Sequence, residues 1–243
     1  MTYSVGRRLD RGLVFMSDTR TNAGLDNISV FRKMQSWEVP GERVITLMTA
    51  GNLATTQSVV SLLEERTKAP ADRSPSILTA PSMFQVATLV ASTLKEVIAE
   101  HADEGQSASN AFNGTIILGG QIADSVTRLF LIYPEGNFIE AGGETPFFQI
   151  GETKYGRPIL VRGYAPMMSF EAAVKLLLLS FDSTIKANLT VGLPIDLQIY
   201  EEGALELGPA MRFDADDPYF VEISDRWGAA LKGAVERLPD ISL

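Results

Sequence analysis

Three side chains near the start of the chain are of the types that can together activate a hydroxyl group. Thr2 carries a hydroxyl, Asp18 a carboxylate and Lys33 an ammonium group. If Thr2 is the first residue of the mature chain, its hydroxyl can act as the nucleophile and its own α-amine as the base. The pattern therefore favours attack on an amide carbonyl, with an ester to Thr2 as the intermediate.

The α-amine of such a threonine is a workable base. Its pKa is about 7.7–8.0, so roughly a tenth to a fifth of it is neutral at pH 7. A nearby lysine cation raises that fraction, and we expect Lys33 to do this with Asp18 as its counter-charge. Met1 precedes Thr2. We expect its removal to expose the amine without a propeptide, because the general methionine aminopeptidase tolerates a small second residue.

A developing oxyanion also needs a hydrogen-bond donor, and Gly51 is the candidate. It follows an apolar, β-branched run and precedes a stretch of helical periodicity. A backbone N–H at such a strand-to-helix corner has no side chain in the way of a substrate. Taken alone, each residue of the set has an ordinary interpretation as a terminal residue, a polar turn, a solvated lysine or a helix-entry glycine. Only the order and spacing of the whole set are specific enough to indicate a catalytic site.

The composition is that of an ordinary globular chain. Of 243 residues, 45% are apolar and 21% charged, which suffices for a sizeable core. We expect a single domain over residues 2–243. The net charge of −9, without a basic stripe, argues against a nucleic-acid partner. No apolar run is long enough to span a bilayer and no signal-peptide pattern is present. We therefore expect a cytoplasmic protein without a membrane partner.

Cysteine is absent and histidine is nearly so, which excludes several classes of active site. The chain has no cysteine and one histidine, His101, which excludes thiol nucleophiles, cysteine-based zinc sites and histidine-rich metal sites. A Ser-His-Asp triad lacks its G-x-S-x-G elbow, and no G-x-G-x-x-G follows a strand. We expect His101 at the surface near a helix C-terminus. We expect no metal and no cofactor. If the protein is a hydrolase, it must work without the usual histidine base.

The order of the expected elements favours an α+β fold with antiparallel sheets. Strands and helices come in blocks, unlike the alternation of a parallel α/β fold. Two sheets packed face to face, with helices outside, would use all the elements. The apolar pattern predicts strands over 2–8, 13–16, 44–49, 114–120, 128–133, 138–139, 147–150, 197–200 and 205–207, one or two short strands within 28–37, and helices over 53–67, 82–103, 169–187 and from 217 onwards.

Small and polar residues predict three loops between these elements. Residues 21–24 have small side chains that tolerate unusual backbone angles. Residues 68–81 are rich in proline and serine, and residues 105–110 are polar. The second of these loops is too short to mark a domain boundary.

The motifs around the candidate residues resemble a known family. The start of a proteasome β-subunit, or of the related bacterial HslV peptidase, is similar to the set formed by Thr2, residues 16–20 (Met-Ser-Asp-Thr-Arg), residues 32–34 (Arg-Lys-Met) and residues 48–51 (Met-Thr-Ala-Gly). Two later stretches, 154–160 and 191–196, are similar to the Anbu group of bacterial proteasome-like proteins. The resemblance covers nearly all of the chain.

The resemblance implies a fold and a set of roles. The fold would be the four-layer αββα sandwich of N-terminal-nucleophile hydrolases. Many copies would assemble, as a ring or a helix, with active sites facing an enclosed space, and no unfoldase can be named. The implied roles are nucleophile and base for Thr2, charge partners for Asp18 and Lys33, oxyanion donor for Gly51, and substrate contacts for Thr21 and Thr49, with the Thr21 backbone holding an extended substrate.

The sequence departs from the family pattern in three respects. Lys33 lies one residue closer to Asp18 than is usual. Residues 151–156 stand where proteasome subunits carry a Gly-Ser-Gly-type segment, and residues 187–192 stand where they carry an Asp followed by Ser-Gly-Gly. Thr190 would replace that serine, and the aspartate has no clear counterpart. These changes leave two alternatives open: a proteasome-like assembly protein with little or no hydrolase activity, and a small-molecule amidase on the same fold.

Overall fold

The computed structural model describes residues 2–22, 28–68, 75–102 and 112–242. Within these ranges the chain forms five helices, two five-stranded antiparallel sheets and one two-stranded sheet. The strands are β1 (Tyr3–Leu9), β2 (Gly12–Asp18), β3 (Arg20–Asn22), β4 (Ile28–Val30), β5 (Met34–Val39), β6 (Arg43–Gly51), β7 (Gly114–Ile122), β8 (Arg128–Ile132), β9 (Phe138–Glu140), β10 (Phe147–Gly151), β11 (Ile195–Glu201) and β12 (Ala210–Phe213). The helices are α1 (Leu53–Lys68), α2 (Met83–Ala102), α3 (Arg157–Gly163), α4 (Phe170–Ala187) and α5 (Pro218–Glu236).

The first five-stranded sheet carries the N-terminal strand. Its order is β10-β1-β2-β11-β12, and all neighbouring strands are antiparallel. β1 and β2 form the expected hairpin, in which Leu9 lies opposite Gly12 and Ser4 opposite Ser17. This pairing brings the beginning of β1 next to the end of β2, so the residue before β1 and the last residue of β2 lie side by side.

The second five-stranded sheet packs against the first. Its order is β5-β6-β7-β8-β9, and its long central strands β6 and β7 pair along their full length. Apolar side chains of both sheets meet between them and exclude water, which stabilises the face-to-face packing. This inner cluster contains Leu13, Phe15, Val44, Met48, Ala50, Ile117, Leu129, Ala141, Phe148, Ile150 and Tyr200.

Helices cover the outer faces of the two sheets. α1 and α2 pack on the second sheet through a cluster that includes Leu63, Val90 and Leu118. α4 packs on β1 and β2, where Leu177 and Phe181 belong to a cluster of their own. α3 and α5 contact α4. In the described ranges, no helix combines the length and apolar character that crossing a bilayer requires.

The sequence places most elements within one or two residues of their observed ends, but the late hairpin is wrong. The partner of β11 is Ala210–Phe213, not the expected strand at 205–207. Leu205 has a φ of +50°, which an extended strand does not adopt. The N–H of Leu207 donates to Glu38 Oε2 at 2.7 Å. Residues 205–207 are therefore part of an irregular loop that contacts the second sheet.

Three local expectations also need correction. Helix α3 was not expected, although Pro158 in its first turn is a common helix-start signal. Thr21 is in strand β3, paired with Ser29 of β4, rather than in a loop. His101 lies in the last turn of α2, as expected, but it is only partly exposed because its ring lies against Phe112. The expected loops over residues 69–74 and 105–110 lie outside the described residues.

Candidate active site

Thr2 and Asp18 are neighbours because of the β1–β2 hairpin. Thr2 immediately precedes β1, and Asp18 is the last residue of β2. The Tyr3 N–H donates to Asp18 Oδ1 at 3.0 Å, and the Gly192 N–H approaches Asp18 Oδ2 at 3.4 Å. The Asp18 carboxylate is fully buried. It thus fixes the backbone directly after Thr2.

Lys33 completes a buried ion pair at this strand end. Its Nζ donates to Asp18 Oδ1 at 2.7 Å and to the carbonyl oxygen of Arg20 at 2.6 Å. Lys33 is 6% exposed and Asp18 0%. Burial lowers the pKa of the Lys33 ammonium, and the Asp18 charge partly offsets that shift. Burial also raises the pKa of the Asp18 carboxyl, against the opposing effects of Lys33 and the two N–H donors.

Gly51 lies at the corner between β6 and α1. Its φ is +120°, and a Cβ atom there would lie 2.3 Å from the carbonyl oxygen of Asn113. Only glycine fits this conformation and this close approach. Two hydrogen bonds frame the corner: the Thr49 N–H donates to the Lys33 carbonyl at 2.9 Å, and the Asn52 N–H donates to the Asn113 carbonyl at 2.8 Å. Thr49 therefore links β6 directly to Lys33.

A second corner, after β10, holds Thr2 from the other side. The Glu152 N–H donates to the Thr2 carbonyl at 2.7 Å. Gly151 has a φ of +82°, and a Cβ atom there would lie 1.9 Å from the Thr2 carbonyl oxygen. The close contact between these two backbones therefore depends on glycine at residue 151.

A buried carboxylate joins this corner to the turn after α4. Glu152 is 8% exposed. Its Oε1 accepts from the Lys154 N–H at 3.0 Å, and its Oε2 accepts from Asn188 Nδ2 at 2.9 Å. Asn188 Oδ1 in turn accepts from the Thr190 hydroxyl at 2.6 Å. The two stretches in which the sequence departs from the family pattern thus contact each other next to Thr2.

A cleft of about 490 Å³ opens in front of these groups. Thr21 lies on one side of it, and its hydroxyl oxygen is buried with no hydrogen-bond partner among the described residues. Among the same residues, no three His, Asp or Glu side chains come together as a metal site would require. The lining consists of Thr2, Thr21, Lys33, Thr49, Ala50, Gly51, Asn52, Leu53, Thr56 and Gly151.

All six residues named from the sequence meet at this cleft. Five of them line it, and Asp18 lies behind Lys33. Glu152 and Asn188 were not predicted to belong to the site. Their stretches are visible in the sequence as departures from the family pattern, but only the fold shows that their side chains are in contact.

Two antiparallel sheets between helices, with a threonine at the first strand beside a buried Lys–Asp pair, define a proteasome-like subunit. Comparison with solved structures supports this class. An Anbu Gly-1 mutant from Hyphomicrobium sp. strain MC1 is 48% identical, with full coverage of both chains and a TM-score of 0.92. Anbu, described as an ancestral β-subunit, from Yersinia bercovieri is 45% identical, covering 99% of this chain and all of its own, with a TM-score of 0.91.

A third solved structure agrees with these two. It is the helical assembly of the Anbu complex from Pseudomonas aeruginosa, which is 46% identical over 99% of this chain and 98% of its own, with a TM-score of 0.92. No protein-family model and no curated protein sequence matches the chain. Identity of this extent over the whole length shows that the chain belongs to the Anbu family, and the resemblance found in the sequence is confirmed.

Proposed function

We propose that the chain is a self-assembling N-terminal-threonine hydrolase that cleaves peptide or other amide bonds through an ester on Thr2. Its fold would be the four-layer αββα sandwich of N-terminal-nucleophile hydrolases. One observation carries the proposal: a lysine and an aspartate form a buried pair 2.7 Å apart in a cleft that contains Thr2. A purely structural protein has no physical need for such a pair beside its N-terminal residue.

In the proposed reaction, Thr2 supplies both the nucleophile and the base. Removal of Met1 frees the α-amine of Thr2. The hydroxyl attacks the amide carbonyl, and its proton passes to that amine. The leaving amine takes the proton as the tetrahedral intermediate collapses to an ester. Water, deprotonated by the same α-amine, then releases the acid and restores Thr2. Because the base is part of the nucleophile residue, its positioning carries little entropic cost.

Lys33 and Asp18 would set the electrostatics of this step. The Lys33 ammonium favours the neutral form of the nearby α-amine and the developing alkoxide of Thr2. Its charge acts strongly because the pair is removed from water. Asp18 holds the Lys33 ammonium in place and accepts a hydrogen bond from the Tyr3 N–H. It therefore positions both Lys33 and the backbone next to Thr2.

The Gly51 N–H would hold the oxyanion. Along a strand, successive N–H groups point to opposite edges. The Thr49 N–H points to the Lys33 carbonyl, and the Asn52 N–H points to Asn113 on the β7 side. By this alternation the Gly51 N–H is directed away from β7. Strand β5 begins at Met34, opposite Met48, so it does not extend to Gly51. The N–H is therefore directed toward the cleft.

Thr21 and Thr49 would contact the substrate. β3 pairs with β4 along one edge only, so within the described residues its other edge is without a strand. An extended peptide can add to such an edge through backbone hydrogen bonds. Thr21 itself lines the cleft that contains Thr2. Thr49 also lines the cleft, where its side chain would limit the room beside the attacked carbonyl.

Self-assembly is the second part of the proposal. The Pseudomonas aeruginosa relative is described as a helical assembly, and we expect this chain to associate with copies of itself in the cytoplasm. A ring and an open helix use the same head-to-tail contact and differ by a small rotation. Light scattering on the purified protein tests this point, since a monomer at micromolar concentration would contradict it.

The alternative function is an assembly protein with little or no hydrolase activity. The observation that favours it is the Glu152–Asn188–Thr190 network, which lies in the two stretches where the chain departs from the proteasome pattern. A small-molecule amidase would use the same site on a different substrate. Whether Thr2 reacts at all separates the assembly protein from both kinds of enzyme.

The deciding experiment combines intact mass with a peptide epoxyketone, which bonds to both the hydroxyl and the amine of an N-terminal threonine. We expect loss of Met1 and one adduct per chain. The adduct should vanish in Thr2→Ala and persist in Thr2→Ser, which retains a hydroxyl. Retention of Met1 would overturn the mechanism, because the proposed base would then be an amide nitrogen.

A further inference from the structure

A positive charge is buried in strand β1, on the sheet face that the C-terminal helices cover. Arg7 is 0% exposed, and Tyr3 and Val5, which lie on the same face of the strand, belong to the apolar cluster beneath α4. The Nε and Nη1 atoms of Arg7 are buried and have no hydrogen-bond partner among the described residues. Burial lowers the pKa of Arg7 to about 10, so the guanidinium is still protonated at neutral pH. A buried charge of this kind is costly unless strong acceptors surround it.

Two side chains from the segment between α3 and α4 cover this guanidinium. Arg7 Cζ lies 4.4 Å from the centre of the Tyr164 ring, whose face attracts a cation. Arg7 Nη2 donates to Met168 Sδ at 3.4 Å. A thioether sulfur is a weak acceptor. Among the described residues, this weak contact is the one hydrogen bond that the Arg7 side chain makes.

The Met168 side chain is accessible to small oxidants. It is partly exposed, and Met167 beside it is 89% exposed. Oxidation of a methionine to its sulfoxide normally disrupts packing, because it places a polar oxygen in apolar surroundings. Here the oxygen would meet an unsatisfied guanidinium instead. Because a methionine side chain is flexible, it can turn the sulfoxide oxygen toward Arg7, which then donates a strong, charge-assisted hydrogen bond.

We infer that Met168 is a modification site, at which a hydroperoxide oxidises the thioether to the sulfoxide and Arg7 binds the new oxygen. With hydrogen peroxide, the sulfur attacks one peroxide oxygen, and the O–O bond breaks as the S–O bond forms. The sulfur is oxidised, and the peroxide is reduced to water, which keeps both protons. Arg7 thereby exchanges a weak acceptor for a strong one, so the oxidised chain is more stable than the reduced chain. The inference does not depend on the reaction at Thr2.

The test compares the thermal unfolding of the reduced and the peroxide-treated protein. The parent for these measurements is the double variant Met167→Leu, Met211→Leu, which lacks two exposed thioethers. Peptide mass mapping gives the fraction of Met168 that has gained an oxygen. We expect the sulfoxide to raise the midpoint of thermal unfolding by about 2–4 °C. In an Arg7→Leu chain, oxidation of Met168 should lower the midpoint instead, because no donor meets the oxygen.

Arg8→Leu is the matched control. Arg8 is the next residue of β1, lies on the opposite face of the strand and already donates to the Ala141 carbonyl at 3.4 Å. Its substitution removes the same charge from the same strand. The Arg8→Leu chain should therefore keep the rise in the midpoint on oxidation.

Three results would each overturn the inference. The first is a midpoint in the parent that stays the same or falls on oxidation of Met168, and the second is an equal rise in Arg7→Leu. The third is the absence of oxygen at Met168 after complete oxidation of Met167 in the unmodified protein. If Arg7→Leu does not fold, Met168→Leu replaces it: the rise should vanish in that variant, and a rise that persists would also overturn the inference.

Discussion

Lys33 Nζ lies 2.7 Å from Asp18 Oδ1, and the two side chains are 6% and 0% exposed. A pair so fully removed from water behaves as a unit, because neither charge can be hydrated if the other is lost. The Tyr3 N–H binds the same Asp18 oxygen, so the pair also holds the backbone next to Thr2. Stability and reactivity at the N-terminus therefore depend on the same contacts.

The first prediction separates these two contributions. Lys33→Met should destabilise the chain by about 3–5 kcal/mol, because it leaves Asp18 buried without a counter-charge. It should also abolish labelling of Thr2. The double variant Lys33→Met, Asp18→Asn should recover most of the free energy of unfolding, but none of the labelling. Urea unfolding and intact mass after treatment with the epoxyketone measure the two effects.

One result would contradict the role proposed for Lys33. If the double variant labels at a rate near that of the unmodified protein, the pair serves folding alone. Light scattering on both variants shows whether assembly is intact and excludes loss of labelling through dissociation.

The second prediction concerns the corner at Gly51. Gly51→Ala places a Cβ atom 2.3 Å from the Asn113 carbonyl at a φ of +120°. The corner must shift, and we expect a loss of more than about 2 kcal/mol with at least tenfold slower labelling. Gly41→Ala is the matched control: its φ is +75°, but nothing lies within 4 Å of the added atom. It should cost about 1 kcal/mol and leave labelling unchanged.

Equal effects of the two alanine variants would show that backbone strain alone matters. Normal labelling in a folded Gly51→Ala protein would remove Gly51 as the oxyanion donor. Thermal unfolding, followed by labelling well below the transition temperature, distinguishes these outcomes.

The part of the site on β1 and β2 was predictable because it depends on a short connection. A hairpin turn at Asp10–Gly12 forces the start of β1 against the end of β2, so the sequence already places Thr2 beside Asp18. Gly51 was predictable for a similar reason, since a β-branched run gives way to helical periodicity directly after it. Local sequence patterns and their order are therefore enough to place these residues at the ends of their strands.

The other side of the site depends on contacts between distant parts of the chain. The Glu152 N–H binds the Thr2 carbonyl, and Asn188 binds the Glu152 carboxylate. No periodicity connects residues so far apart, so the sequence alone does not pair them. The strand expected at 205–207 is absent for a related reason. Alternating apolar residues also suit an irregular loop that another sheet binds, and here Glu38 accepts a hydrogen bond from the Leu207 N–H.

The third prediction tests Glu152 as a positioning residue. Glu152→Ala removes the acceptor for Asn188 Nδ2 and the Lys154 N–H. We expect the loop that contacts the Thr2 carbonyl to loosen, and labelling to slow on the order of tenfold because the nucleophile is less well aligned. Glu152→Gln retains one side-chain oxygen and should recover part of the rate. If both variants label at the rate of the unmodified protein, the Glu152 side chain does not position Thr2, and only its backbone N–H contributes.

The fourth prediction concerns alkaline pH and the Tyr3 hydroxyl. Tyr3 lies under α4, where its Oη is 2.6 Å from Ser180 Oγ and accepts from Gln149 Nε2 at 2.8 Å. Burial raises the pKa of Tyr3 to about 12. Unfolded tyrosine releases its proton near pH 10. Between these values the unfolded state binds fewer protons than the folded state, so the free energy of unfolding falls as pH rises.

The Tyr3 contribution to stability is thus fully present below pH 10 and is lost between about pH 10 and 12, to a total of roughly 3 kcal/mol. Tyr3→Phe lacks the titrating group. This variant should be less stable than the unmodified protein at pH 8, because Gln149 loses an acceptor. Between pH 8 and 11, however, its free energy of unfolding should fall by about 1 kcal/mol less than that of the unmodified protein. Tyr219→Phe, at a half-exposed residue of α5, is the control and should follow the unmodified protein. Urea unfolding at both pH values measures the difference, and parallel losses in Tyr3→Phe and the unmodified protein would show that the Tyr3 proton is released as easily in the folded as in the unfolded chain.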